Sequence, residues 1–486
     1  MPVLDPTADS PDPDVAPALR EVLESAGFSA AGVRELVGEE ALAAATGPAD
    51  DRSAALRATE GGDALSTLVR LFLLGAEVDG ARASAALRPL SLEAAVATGI
   101  LRPAGGSSAA AGGAFAATLR LTPLVLRGVD LVVAHDPPGH LQRRDEVIGV
   151  GPSSADLAEL TIEQRSTRAL DLGCGGGVQA ILLAARSEQV VASDVNERAL
   201  AYCGLNAELN RARNIERRLG DRFDPVRDER FDLIVCNPPF VVSPDDALLY
   251  RDGGLPLDEM ARSVIRGAAA HLAPLGYAQV LASWPLRRGE AWHERLHGWV
   301  EGLGCDAWAV QDERQSADAY ARRWLSHGGQ VDPASYARWL DSYEREGIEG
   351  FGYGLVTLRR VEHRSPWWRH DELPALLAGR PADGLHAGFE AADWLAGHGS
   401  DAALLDARLH VSPGTRLESW QHAEGGRWKV ERAVLRQVEG LAFSGLVNDE
   451  VAALVAGCDG RRPLREVLEA LRAEGEAAAP REVLAT

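Results

Sequence analysis

The stretch that decides the fold is Ala169-Leu170-Asp171-Leu172-Gly173-Cys174-Gly175-Gly176-Gly177. Its first half is a short apolar run of the kind buried inside a parallel sheet. Its second half is a glycine-rich turn, and a helical pattern follows from Val178 to Arg186. Strand, tight turn and helix in this order open a doubly wound α/β domain. The turn has to reverse the chain sharply and bring backbone close to a ligand, and glycines at 173, 175 and 177 remove the Cβ atoms that obstruct both. Such a turn alone serves several kinds of nucleotide-containing ligand, so the acids around it have to discriminate.

Three acids do so. Asp171 lies inside the strand two residues before the first glycine, where enzymes that bind dinucleotides usually carry an apolar residue. There a carboxylate accepts bonds from the turn or, through water, faces a cationic ligand. Val190-Val191-Ala192-Ser193-Asp194 places a second carboxylate at the end of the next strand, 17 residues beyond Gly177, from where it can accept both hydroxyls of a ribose. Leu219-Gly220-Asp221 follows the third strand, and Asp221 is placed to accept an adenine amino group. Together these residues outline an adenosine site that contains no pyrophosphate.

The fourth strand, Phe231 to Cys236, ends in Asn237-Pro238-Pro239-Phe240. Two prolines stiffen the backbone just beyond the carboxyl edge of the sheet, where α/β enzymes bind their ligands. A planar exocyclic nitrogen, as in an amide or an aminopurine, is a poor nucleophile because its lone pair is delocalised. Two acceptors, the Asn237 side-chain oxygen and the Pro238 carbonyl, can hold its hydrogens and aim the lone pair, while Phe240 stacks on the flat group.

Taken in order along consecutive strands, these motifs resemble those of class I S-adenosylmethionine-dependent methyltransferases, and the tetrapeptide resembles that of the amino-group methyltransferases. The resemblance implies S-adenosyl-L-methionine as methyl donor and S-adenosyl-L-homocysteine as product. The expected cofactor contacts are Asp171, Gly173, Cys174, Gly175, Gly177, Asp194, Val195, Asp221, Arg222 and Asn237. Asn237, Pro238, Pro239 and Phe240 are expected to carry catalysis, and Phe240, Tyr250 and Arg251 to contact the acceptor. Val241-Val242-Ser243-Pro244 and Gly253-Gly254 are most similar to the HemK-type glutamine methyltransferases, which act on peptide release factors. That implies a protein glutamine amide as acceptor, with a nucleobase amino group of ribosomal RNA or DNA, or a small natural-product amine, as alternatives. Upstream, Gly151-Pro152-Ser153-Ser154 either contacts the methionine end of the cofactor or caps the helix that follows.

Working outward, seven strands are expected: Ala169 to Leu172, Gln189 to Ser193, Ile215 to Leu219, Phe231 to Cys236, Tyr277 to Ser283, Ala307 to Gln311 and Gly352 to Leu358. They define a Rossmann-like, seven-stranded parallel catalytic domain over residues 141–363. Residues 1–14 read as a disordered tail. Residues 15–140 form a helical or winged-helix-like domain, which either binds a macromolecule or packs as a cap. Residues 364–486 form a C-terminal α+β domain of unassigned role. Within it, Arg364, Trp367, Trp368, Arg369 and His370 combine charge and stacking, as in a single-strand binder or a tryptophan-packed hinge.

The 486 residues carry 71 acidic and 50 basic side chains, a net charge of -21, which argues against a protein that coats nucleic acid non-specifically. Only -4 of that falls on residues 151–300, where 21 acidic residues face 17 basic ones. Five scattered cysteines, with no close Cys/His spacing, point to a reducing cytoplasm and no structural zinc. No apolar stretch is long enough to span a bilayer, and no metal is expected. The expected partner is a macromolecular acceptor, protein or RNA/DNA.

Overall fold

The computed structural model describes residues 12–46, 51–104, 113–137, 145–244, 257–326, 331–362, 364–373, 376 and 380–473. The chain divides into two compact units, Met1–Ala158 with Gln164–Asp371, and Glu159–Glu163 with Glu372–Thr486.

The first unit is built on one large sheet. Its strands are β1 (Ser166–Leu172), β2 (Ser187–Asp194), β3 (Ile215–Leu219), β4 (Phe231–Cys236), β5 (Leu272–Arg287), β6 (Cys305–Ser316), β7 (Ile348–Arg360) and β8 (Trp368–Glu372). The spatial order is 8-6-7-5-4-1-2-3. β1 lies between β2 and β4, parallel to both, with Asp171 opposite Ala192 on one side and Val235 on the other. Helices cover both faces, so the central strands are mostly apolar, interrupted by Asp171 in β1 and Asp232 in β4, and Ala169, Leu170, Val190, Val191, Leu233 and Ile234 are fully buried.

Each of the seven expected strands is present, and the sheet differs from the expectation in two respects. It has eight strands, because Trp368–Glu372 adds to the edge beside β6, where the Ala307 N–H donates to the Trp367 carbonyl at 3.0 Å. The segment Trp368-Arg369-His370, expected as part of a separate domain, thus belongs to the catalytic sheet, which extends past residue 363. The sheet is also mixed: β7 runs antiparallel to both β5 and β6. β6 returns along its own edge through helices α6 (Ala317–Leu325) and α7 (Pro333–Arg345), which leave and rejoin the ladder where Ser316 faces Gly350.

Five more helices flank the sheet: α1 (Pro152–Leu160) before β1, α2 (Val178–Ala184) after it, α3 (Glu197–Leu209) after β2, α4 (Glu259–His271) before β5 and α5 (Trp292–Val300) after it. Ahead of them the N-terminal residues form short helices and a three-stranded antiparallel sheet of Val78–Asp79, Ala114–Ala117 and Leu101–Pro103. A hairpin of Arg120–Leu126 and Val129–His135 follows and docks on α3. Asn206 of α3 and Asn210, which caps its C-terminus, each pair with one hairpin residue through both its N–H and its C=O, Ala134 and Val132 respectively. Ala199, Tyr202, Leu205 and Leu209 of α3 share a core with the N-terminal helices.

The second unit combines helices Pro381–Gly397, Asp401–Asp406, Asp449–Gly457 and Leu464–Ala473 with an antiparallel sheet of Thr415–Glu424, Arg427–Gln437 and Ser444–Val447. Its small core includes Leu454, Leu464, Val467 and Leu468. No helix among the described residues is long and apolar enough to cross a membrane.

Candidate active site

The glycine turn sits at the carboxyl edge of β1, where Gly173, Gly175 and Gly177 adopt φ of 69°, 51° and 81°. Side chains strongly disfavour this left-handed region. Gly177 is excluded from bearing one for a second reason, since a Cβ there would lie 2.5 Å from the Cys203 sulfur. The turn is fixed from three sides. The Ser193 carbonyl accepts the N–H groups of Gly173 and Cys174 at 2.8 and 3.0 Å. Asp194 accepts the Gly175 N–H at 2.8 Å. From α3, the Asn206 amide donates to the Gly176 carbonyl at 2.9 Å.

Asp171 is buried beneath this turn, and its Oδ2 accepts the Ala180 N–H in the first turn of α2 at 2.9 Å. Burial, reinforced by the negative charge of Asp194, pushes its pKa up to about 7, against the opposing pull of the Ala180 bond. Asp194 is likewise raised by burial, while the N–H groups of Asn196 and Gly175 favour its charged form. Each Asp194 oxygen accepts one such bond and keeps a further lone pair for a ligand. Beside it, Val195 and Leu219 are 57% and 55% exposed at the ends of β2 and β3, an apolar ledge suited to one face of a flat base.

Of the expected cofactor contacts, Asp171, the three glycines, Asp194 and Val195 are therefore brought together around one sheet edge. Cys174 turns its thiol into the core, which leaves only its backbone to face a ligand. Asp221 and Arg222 lie on the exposed loop after β3, paired to each other at 2.9 Å. That loop is tied to the site by the Gly220 N–H, which donates to the Asp194 carbonyl at 3.0 Å.

Asn237 follows β4 at the same edge. Its Nδ2 donates to the hydroxyls of Ser153 and Ser154 at 3.1 and 3.3 Å. Its Oδ1 is buried, with no hydrogen-bond partner among the described residues. The two serines, left open between cofactor contact and helix cap, thus hold the Asn237 amide by the edge opposite its acceptor. A cavity of about 180 Å³ is lined by Ser153, which holds the Asn237 amide, and by Phe240, Tyr320, Phe351 and Tyr353, together with Asp156, Asp312, Glu313 and Arg323. The Phe240 ring is tilted against Tyr353 at 5.4 Å. Asp156 is raised above the ordinary carboxyl range by burial and then by the charge of Asp312. Tyr250 and Arg251 lie outside the described residues.

Asn206, Asp156, Tyr320 and Tyr353 were not anticipated. For Asn206 there is a local signal, an amide on the same helical face as Tyr202, Leu205 and Leu209. Asp156 lies three residues beyond Ser153 on α1, and for Tyr320 and Tyr353 there is no local signal, because they reach the site from distant elements.

Residues 150–297 match the family described as methyltransferase small domain. Residues 25–112 and 386–486 match two domain families described as of unknown function. Among curated proteins, the release factor glutamine methyltransferase of Xylella fastidiosa (strain 9a5c) is 34% identical over 143 residues, covering 27% of this chain and 51% of that protein. The release factor glutamine methyltransferase of Cereibacter sphaeroides is 36% identical over 168 residues, covering 32% and 58%. The ribosomal protein uL3 glutamine methyltransferase of Bradyrhizobium diazoefficiens is 34% identical over 122 residues, covering 22% and 38%. The chain thus spans little more than half the length of the release factor enzymes it matches.

Proposed function

We propose that the protein, whose residues 150–297 form a class I S-adenosylmethionine-dependent methyltransferase domain, transfers a methyl group to the side-chain amide nitrogen of a protein glutamine. The observation that carries this reading is the Asn237 amide, with its nitrogen held by two serines and its oxygen buried and without a partner among the described residues. A buried acceptor left unpaired costs about 1–3 kcal/mol, a penalty relieved when a ligand brings an N–H to it. The matching ligand is a planar NH₂ group.

The residues around the glycine turn fit the donor. The left-handed glycines present backbone without Cβ, Asp194 retains acceptor capacity for a ribose, and Val195 with Leu219 offers an apolar face to an adenine. When bound, S-adenosylmethionine supplies a methyl group already activated by its sulfonium and leaves as S-adenosylhomocysteine.

The chain's own residues act on the acceptor. Asn237 Oδ1 and the Pro238 carbonyl accept the two hydrogens of the NH₂ group, which turns the nitrogen lone pair toward the donor. Phe240 holds the amide plane by stacking. Rate enhancement then comes from orientation and fixed dipoles, and no strong base is required because an N-methylated amide that still carries its extra proton is itself a strong acid.

The cavity supports a protein acceptor over a polynucleotide. Its volume of about 180 Å³ suits a single side chain, and it sets three carboxylates against one guanidinium, a balance that disfavours phosphate. The release factor and ribosomal protein uL3 relatives are named for glutamine methylation. The test is Asn237→Ala. Transfer from labelled donor to extract protein is expected to vanish, while calorimetry shows donor affinity within about threefold of the parent, since the glycine turn, Asp194 and Val195, which fit most of the donor, are untouched. A collapse of donor affinity would overturn the assigned role.

A further inference from the structure

Beyond the tetrapeptide the backbone continues through Val241 and Val242, both buried, in no strand or helix. Val242 nevertheless has both of its backbone groups satisfied, each by a tyrosine hydroxyl. Its N–H donates to Tyr320 Oη at 3.0 Å, and Tyr343 Oη donates to its carbonyl at 2.7 Å. Tyr320 lies on α6 and Tyr343 on α7, the two helices inserted between β6 and β7. The hydroxyls are themselves held. The Tyr320 ring stacks on Phe351 at 3.9 Å, and Tyr343 meets the same phenylalanine edge-on at 4.9 Å. Tyr343 also packs against buried Trp339. Burial pushes the Tyr320 pKa to about 12, so its phenol stays protonated at working pH.

We infer that Tyr320 and Tyr343 are positioning residues for methyl transfer, clamping Val242 so that the acceptor-binding segment Asn237–Phe240 is fixed at both ends. The inference rests on the reading of that segment given above. At the upstream end Cys236 is locked in β4, between β1 and β5. At the downstream end no ladder exists, and the two bonds on either side of the Val242 Cα perform that office. With both ends held, and prolines at 238 and 239, the Asn237 amide and the Phe240 ring have little freedom left. A reacting pair misplaced by an ångström loses roughly 100-fold in rate. Tyr320 also lines the cavity beside Phe240, so the residue that holds the loop forms part of the acceptor's own wall.

Tyr320→Phe, Tyr343→Phe and the double variant keep the rings and remove only the hydroxyls. The expected result for the double variant is a kcat for transfer to extract protein lowered roughly 10- to 100-fold. Its KM for S-adenosylmethionine should stay within about twofold, because the glycine turn is untouched. In both Tyr320→Phe and the double variant, hydrogen exchange at the Val242 amide should lose its protection. A role confined to stability would lower the melting temperature and leave kcat unchanged at temperatures well below it. Wild-type kcat in the double variant, or an unchanged Val242 exchange rate in Tyr320→Phe, overturns the inference. If the double variant fails to fold, the single variants, each keeping one bond, carry the same comparison. If the parent protein labels no protein at all, the acceptor reading fails, and exchange at Val242 still decides the clamp.

Discussion

Replacing Asn206 by leucine tests how the N-terminal hairpin and the cofactor turn are joined. Asn206 is fully buried and makes three bonds: its Oδ1 accepts the Ala134 N–H at 2.6 Å, and its Nδ2 donates to the carbonyls of Ala134 at 3.0 Å and Gly176 at 2.9 Å. Leucine keeps the branching at Cγ and replaces the polar atoms with methyls, so three backbone groups lose their partner. At about 1–3 kcal/mol for each, softened by partial entry of water, the loss comes to roughly 3–5 kcal/mol. For a domain of this size that lowers the melting temperature by about 10 °C. Freeing the Gly176 carbonyl also loosens the glycine turn, and S-adenosylmethionine is expected to bind about 3- to 10-fold more weakly. The control is Asn210→Leu. Asn210 makes the same double bond to Val132 of the hairpin, at 3.0 and 2.8 Å, and no bond to the turn. It should destabilise the protein and leave donor affinity intact. Calorimetric titration and thermal melts on the two variants give the answer. The reasoning is refuted if both weaken the donor equally, or if Asn206→Leu melts within about 2 °C of the parent.

Three further outcomes follow from the same geometry. Asp171 ionises in the unfolded chain near its ordinary pKa of 3.8 and in the folded protein only at about 7, so this group costs stability progressively as pH rises from about 4 to about 7. Asp171→Asn should therefore gain on the parent across that window, by an upper limit of about 4 kcal/mol above pH 7, in donor-free urea melts; a difference that stays flat with pH contradicts the assignment. The double substitution Ser153→Ala, Ser154→Ala frees the Asn237 amide to rotate, and transfer should drop roughly 10- to 100-fold with donor affinity maintained; an unchanged rate would show that the serines do not orient it. Arg198→Met strands the buried Asp136, which the arginine pairs and Tyr202 also hydrogen-bonds at 2.8 Å. Thermal unfolding should register a loss of about 3–5 kcal/mol, and a loss below about 1 kcal/mol would mean that water already solvates the pair.

The parts of this molecule that are legible in its sequence are those where one physical constraint acts locally. Central strands buried on both faces must be largely apolar, which is why Ala169 to Leu172 and Phe231 to Cys236 stand out, each with a single aspartate. A turn that needs left-handed backbone must be glycine, which marks 173, 175 and 177. The edge strand Trp368–Glu372 hid because it is largely exposed, so its tryptophan, arginine and histidine resemble a binding loop more than a strand. The reversal of β7 hid because direction in a sheet leaves no periodic trace. The tyrosine clamp was out of reach for a different reason. Tyr320 and Tyr343 lie 78 and 101 residues from Val242, and their hydroxyls acquire a role only when α6 and α7 fold back over the loop. The serines at 153 and 154 were visible as residues, and their bond to Asn237, 84 and 83 residues away, was not.

The central claim is that the buried oxygen of Asn237, unpartnered among the described residues, receives the NH₂ of a protein glutamine. The most direct measurement incubates the protein with cell extract and S-adenosylmethionine carrying a labelled methyl group, then divides the product between protease and ribonuclease digestion and analyses the released residues by mass spectrometry. The account predicts label released by protease, found as N5-methylglutamine and absent with Asn237→Ala. Label released by ribonuclease on a methylated base, or on a protein residue other than glutamine, would contradict it.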